Sequence, residues 1–253
     1  MTRIALLFSL ALLAGCAPDV FRADAGVAFP RLTGGASLQN SAGNASLSDV
    51  KNNIRGSLDV GQLQPQPYLR LESDWGPHRV RVHGFGYDES GSSLLDRDFG
   101  DLVSGTAVDS SLEYLNVVGS WSYDLMPTKT LRLGPGVQLG LYSLDMTARS
   151  SFPSGFEKVM TDVVMPQLFL DGGVDLGIVS ADANIGFMSA HLGDAAGRYV
   201  DAELMLRARP AEQFEVFAGY RLTVLDVLGV ASGRDFDADL TVSGVVLGGG
   251  VRF

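Results

Sequence analysis

From about residue 50 onward, apolar and polar residues take turns along the chain, the period of a strand whose two faces meet different surroundings. The clearest run is Leu131 to Leu141. There Leu131, Leu133, Pro135, Val137, Leu139 and Leu141 alternate with Arg132, Gly134, Gly136, Gln138 and Gly140. Val200, Ala202, Leu204, Leu206 and Ala208 alternate likewise with Asp201, Glu203, Met205, Arg207 and Arg209, and Phe214 to Val224 alternate with Glu215, Phe217, Gly219 and Arg221. Leu69, Leu71 and Trp75 are interleaved with Arg70, Glu72 and Asp74; Val80 and Val82 with Arg79, Arg81 and His83; Val50, Ile54, Leu58 and Val60 with Lys51, Asn53, Arg55, Ser57 and Asp59. A water-soluble sandwich would carry lysine and glutamate on its polar face. Lysine is nearly absent from these runs, so lipid outside and a polar lumen inside account for the two faces better.

The alternation predicts ten strands, at 49–60, 67–75, 78–88, 107–125, 130–147, 162–176, 178–190, 198–209, 213–227 and 237–253. Their connections differ in length. Those at Gly76-Pro77, 126–129, near Gly177 and at Pro210-Ala211 are short, those at 61–66 and 191–197 intermediate, and those at 89–106, 148–161 and 228–236 long. Starting the first strand in the periplasm puts every short turn there and the longer links outside, as in bacterial outer-membrane barrels, which have even strand numbers. The expected fold is therefore all-β, a transmembrane antiparallel up-and-down β-barrel of about ten strands. Eight strands follow instead if the first and one other are not real.

Composition narrows the picture. With 253 residues, 46% hydrophobic, 19% charged, 31 glycines and one cysteine, the chain suits one all-β domain. Beyond the N-terminus no run approaches the roughly 18 apolar residues of a spanning helix. A formal charge of -10 and a pI near 4.7 argue against nucleic acid as a partner, because phosphate binding needs clustered Lys and Arg.

Residues 1–15 read as a signal peptide: Arg3 forms the basic region and Ile4 to Leu13 the apolar core. The following Leu13-Ala14-Gly15-Cys16 resembles the lipobox of bacterial lipoproteins, which implies that Cys16 is acylated and becomes the mature N-terminus. Cleavage after Ala17 by an ordinary signal peptidase is the alternative. A lone thiol in an exported protein has no disulfide partner, and acylation would give it a use. Ala17-Pro18 follow the cysteine, without the aspartate that retains lipoproteins in the inner membrane. Residues 16–48, rich in Gly, Ala, Ser and Asn (Thr33-Gly34-Gly35-Ala36-Ser37, Asn40-Ser41-Ala42-Gly43-Asn44), read as a lipidated flexible tether, or in part as a plug, leaving 49–253 as the barrel.

At the other end Val245, Leu247, Val251 and Phe253 alternate and the chain stops on Phe, which resembles the C-terminal strand of outer-membrane proteins. That resemblance implies recognition of Phe253 by the barrel-assembly machinery and residence in the outer membrane of a Gram-negative bacterium. Both termini would be periplasmic, and the surrounding partners would be outer-membrane lipid and lipopolysaccharide, with any protein partner unspecified. Trp75, Trp121, Tyr123 and Tyr220 are candidates for interfacial aromatic girdles.

Taken literally, the alternation collects Arg55, Arg70, Glu72, Asp74, Arg79, Arg81, His83, Arg132, Glu203, Arg207 and Arg221 in the lumen, along with Asp59, Asp171, Asp175, Asp182, Arg209 and Glu215. Charges of both signs in a narrow enclosure must pair or be hydrated. The expectation is a charge network filling the barrel, the alternative a narrow polar pore lined by Arg70, Arg79, Arg81 and Arg132. Ser189 and His191 are two apart on one strand and are loosely similar, in reversed order, to the His-x-Ser motif of outer-membrane lipid A deacylases. A lipid-modifying hydrolase is thus the alternative from another class. Protease-like barrels need Asp and His pairs high on the barrel. The outer loops carry Asp96, Asp98, Asp101, Asp235 and Asp237, but His191 alone among histidines. No histidine pair has metal-ligand spacing, and neither a metal nor a cofactor is expected. Asp235, Asp237 and Asp239 alternate without completing a calcium loop.

Overall fold

The computed structural model describes residues 19–42, 51–126, 128, 130–192, 195–231 and 233–253, except for the side chains of 190–192, 195 and 231. The expected signal peptide and Cys16 lie outside the described residues, as do Val50 and the 43–48 part of the expected tether.

One antiparallel sheet closes on itself. Its ten long strands are β1 (Val20–Leu38), β3 (Gln66–Trp75), β4 (His78–Leu94), β5 (Ala107–Tyr123), β6 (Leu131–Ser151), β7 (Ser154–Asp175), β8 (Val179–Leu192), β9 (Ala195–Ala211), β10 (Phe214–Ala231) and β11 (Arg234–Arg252), with a two-residue β2 (Asn52–Asn53) beside β1. From β3 to β11 each strand pairs with the next, and β1 lies between β11 and β3 to close the ring. The closing seam reaches the chain terminus, where Phe21 and Phe253 exchange both backbone hydrogen bonds, at 3.0 and 2.9 Å.

Nine of the ten expected strands are found with shifted ends, and the first is displaced. The segment 20–38, read as tether, is a barrel strand. Its alternation is muted because small residues stand on both faces: Ala23, Ala25 and Val27 outside, Gly26, Ala28 and Pro30 inside. The small residues are there for close approach. A Cβ on Gly26 would stand 2.2 Å from the Leu247 carbonyl oxygen across the seam. Conversely, 49–60 is not a lipid-facing strand. Ile54, Leu58 and Val60, expected outside, are each 0% exposed and point inward.

The segment 52–65 instead fills the wall where β3 stops short. Pairing of β1 with β3 ends at Ala28↔Gln66, and that of β3 with β4 at Tyr68↔Phe85. Beyond them Leu32 donates to the Gly61 carbonyl at 3.2 Å and Ile54 to that of Gly34 at 3.0 Å. Two left-handed residues, Asp59 (φ 52°) and Gly61 (φ 95°), turn this segment inward. Asp59 then crosses β4 so closely that a Cβ on Gly91 would sit 1.9 Å from its carbonyl oxygen.

At the end where β1 begins and β11 stops, the strands are linked by short connections: 76–77, 124–130, 176–178 and 212–213. At the far end, 39–65 and 95–106 are long. The expected long links at 148–161 and 228–236 are instead mostly strand, with only two residues between β6 and β7 and between β10 and β11.

Outward residues form an apolar belt. On β6 the positions from Leu131 to Leu141 are about half exposed, Leu139 at 48%. Ten residue steps at about 3.3 Å and a tilt near 40° raise this run by about 25 Å, the height of the apolar band of membrane barrels. Carboxylates then mark its far edge, with Asp88 opposite Glu113, Glu113 opposite Asp145, and Asp226 opposite Asp239. Near the other edge Trp121 and Tyr123 are exposed on the outer wall, with the His78 ring against both at 5.8 and 5.2 Å.

Candidate functional site: a layered lumen

Each long strand sends alternate residues inward, and the lumen they fill has three layers. In the half nearest the termini, charges dominate. Glu72 on β3 accepts from Arg70 at 3.0 Å and Arg81 at 3.1 Å and also pairs with Arg22. Arg79 binds Asp74 at 2.7 Å and Asp182 at 3.4 Å; Arg81 reaches Asp171 at 3.3 Å. Asp182 further holds Arg132 and, at 2.8 Å, Arg207, which contacts Asp24 at 3.0 Å and Glu215 at 3.1 Å. Arg70 also pairs with Glu203. Six arginines and seven carboxylates are thus joined into one network across eight strands.

Burial makes this arrangement consequential. Arg70 and Arg81 are at most 2% exposed and Glu72 is 1% exposed. A guanidinium there has lost its water and depends on the carboxylates that face it. The planar fork of arginine suits that task, because it can bridge two carboxylates at once.

Above the charges lies an aromatic layer. Phe85, Tyr114, Tyr142 and Tyr199 run in sequence around the lumen, with centroids 6.0, 6.4 and 5.0 Å apart, and the hydroxyls of Tyr142 and Tyr199 are hydrogen-bonded. Arg221, bound to Asp201 at 3.0 Å, lies 5.8 Å from the Phe85 ring centre, a cation over an aromatic face. His83 is buried, and neither ring nitrogen has a hydrogen-bond partner among the described residues.

The far end is capped by an apolar cluster, beside which buried Glu157 pairs with Arg234. Ile54, Leu58 and Val60 from the wall segment meet Leu95, Phe99 and Leu102 from the 95–106 loop in one buried cluster with Leu112, Met146 and Val159. Polar contacts pin the cap in place. The Asn52 side chain donates to the carbonyls of Arg97 and Asp98 at 3.1 and 3.2 Å and accepts from the Arg97 amide at 2.9 Å. Glu89, directed inward, accepts from the amides of Gly61 and Gln62. Outside the barrel wall, the Ser41 amide and hydroxyl bind Asp101 at 2.8 and 2.9 Å and hold its carboxyl below the usual carboxylate range.

Most sequence-predicted lumen residues thus come together: Arg70, Glu72, Asp74, Arg79, Arg81, Arg132, Glu203 and Arg207 in the network, and His83 and Arg221 beside it. Arg55 does not. It sits in the 52–65 segment and donates to Gln62 at 3.0 Å, because that segment turns instead of running as a strand. Asp175 and Arg209 pair with each other at the rim at 2.6 Å. Arg22 and Asp24 escaped sequence reasoning with the strand that carries them, and their alternation with Phe21, Ala23 and Ala25 was the available signal. Ser189 is exposed on the outer wall, and the His191 side chain lies outside the described residues. Asp237, expected in an outer loop, lies on β11 and binds Lys51 at 2.8 Å.

Comparison with solved structures gives a relative in shape for this layered cylinder. The outer-membrane protease OmpT from Escherichia coli superposes with a TM-score of 0.60 at 11% identity, over 93% of this chain and 97% of that chain. This chain has the fold of an outer-membrane β-barrel. At that identity the likeness extends to the fold alone. The outer-membrane protein AlkL (12% identity, TM-score 0.42, 94% of this chain and 92% of that one) and Ail of Yersinia pestis (12%, 0.35, 92% and 99%) match more loosely. No protein-family model and no curated protein matches the sequence.

Proposed function

We propose that the protein is a non-enzymatic barrel of the Gram-negative outer membrane with a closed lumen, structural or anchoring in role and not a polar pore. One observation carries this reading: of the arginines that would line a pore, Arg70, Arg79 and Arg81 are buried in ion pairs and the half-buried Arg132 is paired with Asp182, and the lumen beyond them ends in an apolar cluster with Ile54, Leu58 and Phe99 at 0% exposure. An ion entering from the charged end would have to displace paired guanidiniums and then cross hydrocarbon, where a bare charge is very costly. Purified protein in planar bilayers is expected to give no steady conductance at neutral pH. Stable single-channel steps would overturn the closed-barrel reading.

The apolar belt with its aromatic and carboxylate borders supports membrane residence, with lipid and lipopolysaccharide as surroundings. The pairing of Phe253 with Phe21 supports a role for the C-terminus in assembly and barrel closure. Both termini would lie in the periplasm, because the short turns share their end of the barrel. Acylation of Cys16 would tether the start of β1 to the periplasmic leaflet through few residues. Cys16→Ala is expected to abolish labelling by a radioactive or clickable fatty acid in cells, while unchanged labelling would remove the lipobox from the account.

A further inference from the structure

The barrel wall is incomplete on one side of its far half. β7 pairs with β6 along its whole length, from Leu131↔Val174 to Ser151↔Ser154, but with β8 only between Asp175↔Ser180 and Leu168↔Phe187. From Ser154 to Gln167 the β8 side of β7 carries no ladder. Pro166, which has no N–H to donate, sits two residues past the last rung, the kind of position at which proline is tolerated in a sheet. The β8–β9 hairpin ends at Leu192 and Ala195, whereas β10 and β11 continue pairing to Ala231↔Arg234. A notch is left above the short hairpin, between β7 and β10.

The notch is apolar and leads inward. It holds a cavity of about 270 Å³, bordered by Val163, Met165, Met188, Val227, Leu228 and Phe236 among others, with no charged side chain in its lining among the described residues. A smaller void of about 20 Å³ inside the barrel shares Val163, Met165, Val227 and Phe236 with it and reaches Tyr114 and Tyr142. Val163, Met188 and Val227 face the interior and pack on the buried cluster but remain only partly buried. Outside, the mouth meets exposed Val164, Leu168 and Phe187 on the belt side of the carboxylate edge, and Leu228 and Val230 beyond it.

We propose that this notch admits one acyl chain of a membrane lipid, sideways through the wall, into the apolar half of the lumen. The inference rests on the membrane residence proposed above. Three features select an acyl chain as the occupant. On its β7 and β8 side, at Val164, Leu168 and Phe187, the entrance opens onto the same apolar surface that faces lipid. Apart from Thr161, the described lining offers hydrocarbon and sulfur. The path ends at the tyrosine layer, so a chain can enter but not cross. Sites for small apolar ligands are commonly concave and apolar with a few polar groups at one end, and the Tyr142–Tyr199 hydroxyl pair supplies such an end.

The test places single tryptophans in a Trp75→Phe, Trp121→Phe background, in vesicles of phosphatidylcholine doped with phospholipid carrying a doxyl quencher midway along one acyl chain. Phe236→Trp reports from the notch, and Met188→Trp is a second reporter there should the first variant fail to fold. Phe169→Trp reports from an equally inward site behind the paired part of β7 and β8 (Phe169↔Gly186). Leu139→Trp reports from the outer wall. The expected result is several-fold stronger quenching at 236 or 188 than at 169, approaching that at 139. Strong quenching at 139 with equal, weak quenching at 236, 188 and 169 would overturn the lateral site and leave membrane residence standing. Weak quenching at 139 would overturn membrane residence, and the lateral site with it.

Discussion

Glu72→Gln is expected to destabilise the folded barrel by about 3–5 kcal/mol, the usual cost of removing one partner from a buried ion network. Glu72 is the hub of the charged layer, facing Arg22, Arg70, Arg79 and Arg81 within 3.6 Å or less. Glutamine keeps the shape but removes the charge, so four guanidiniums lose a common counter-ion in a space with little water. Urea titration of the refolded protein, followed by the gel-mobility difference between folded and heat-unfolded barrel, measures the effect. A comparison separates burial from pairing. Asp145→Asn breaks the Lys158–Asp145 contact of 2.7 Å on the outer wall, where both side chains are more than a quarter exposed, and is expected to cost less than about 1 kcal/mol. Equal small effects at both sites would mean that the lumen is hydrated enough to screen its charges.

The second large effect concerns the outer wall. Val137→Arg places a charge near the middle of the apolar belt of β6 and is expected to cost about 2–4 kcal/mol for a barrel folded in a bilayer. Ser143→Arg, three outward positions further along the same strand and beyond the belt, is expected to cost about 0–1 kcal/mol. The contrast depends on depth in lipid and not on the substitution itself. Folding free energies in phospholipid vesicles decide it. If both variants fold as stably as the parent, the belt does not face hydrocarbon.

How far the fold could be read before the structure depended on contrast between the faces. Strands β3 to β11 were legible because apolar and polar residues differ strongly there, as at Leu131 to Leu141. β1 was not, because its residues are small on both faces and its main partner, β11, lies at the other end of the chain. Gly26 and Gly34 look like linker glycines until the seam places Leu247 and Asp239 against them. The reverse error at 49–60 has the same origin. Ile54, Leu58 and Val60 do alternate, but alternation names two faces without saying which is inside.

The lumen charges were legible one residue at a time, and their partners were not. Arg70 and Glu203 are adjacent in space and 133 residues apart in the chain. Ion pairing in a barrel is set by the stagger of strands across the lumen, which no local pattern contains. The cap was hidden for a related reason: Leu95, Phe99 and Leu102 stand in a loop rich in Asp, Ser and Gly, and only folding over the rim buries them.

By itself the sequence determined what every residue pair along a strand must obey: the period of two, the division into two faces, the positions of most turns and the alternation up to Phe253. These follow from strand geometry and local chemistry, and they suffice for a barrel. Only the tertiary structure decided how the barrel closes through β1, which charges neutralise one another, what seals the far end, and where the wall stops pairing between β7 and β8. Those depend on distant segments meeting in one register, and a ring of strands has no register until its last strand finds its first.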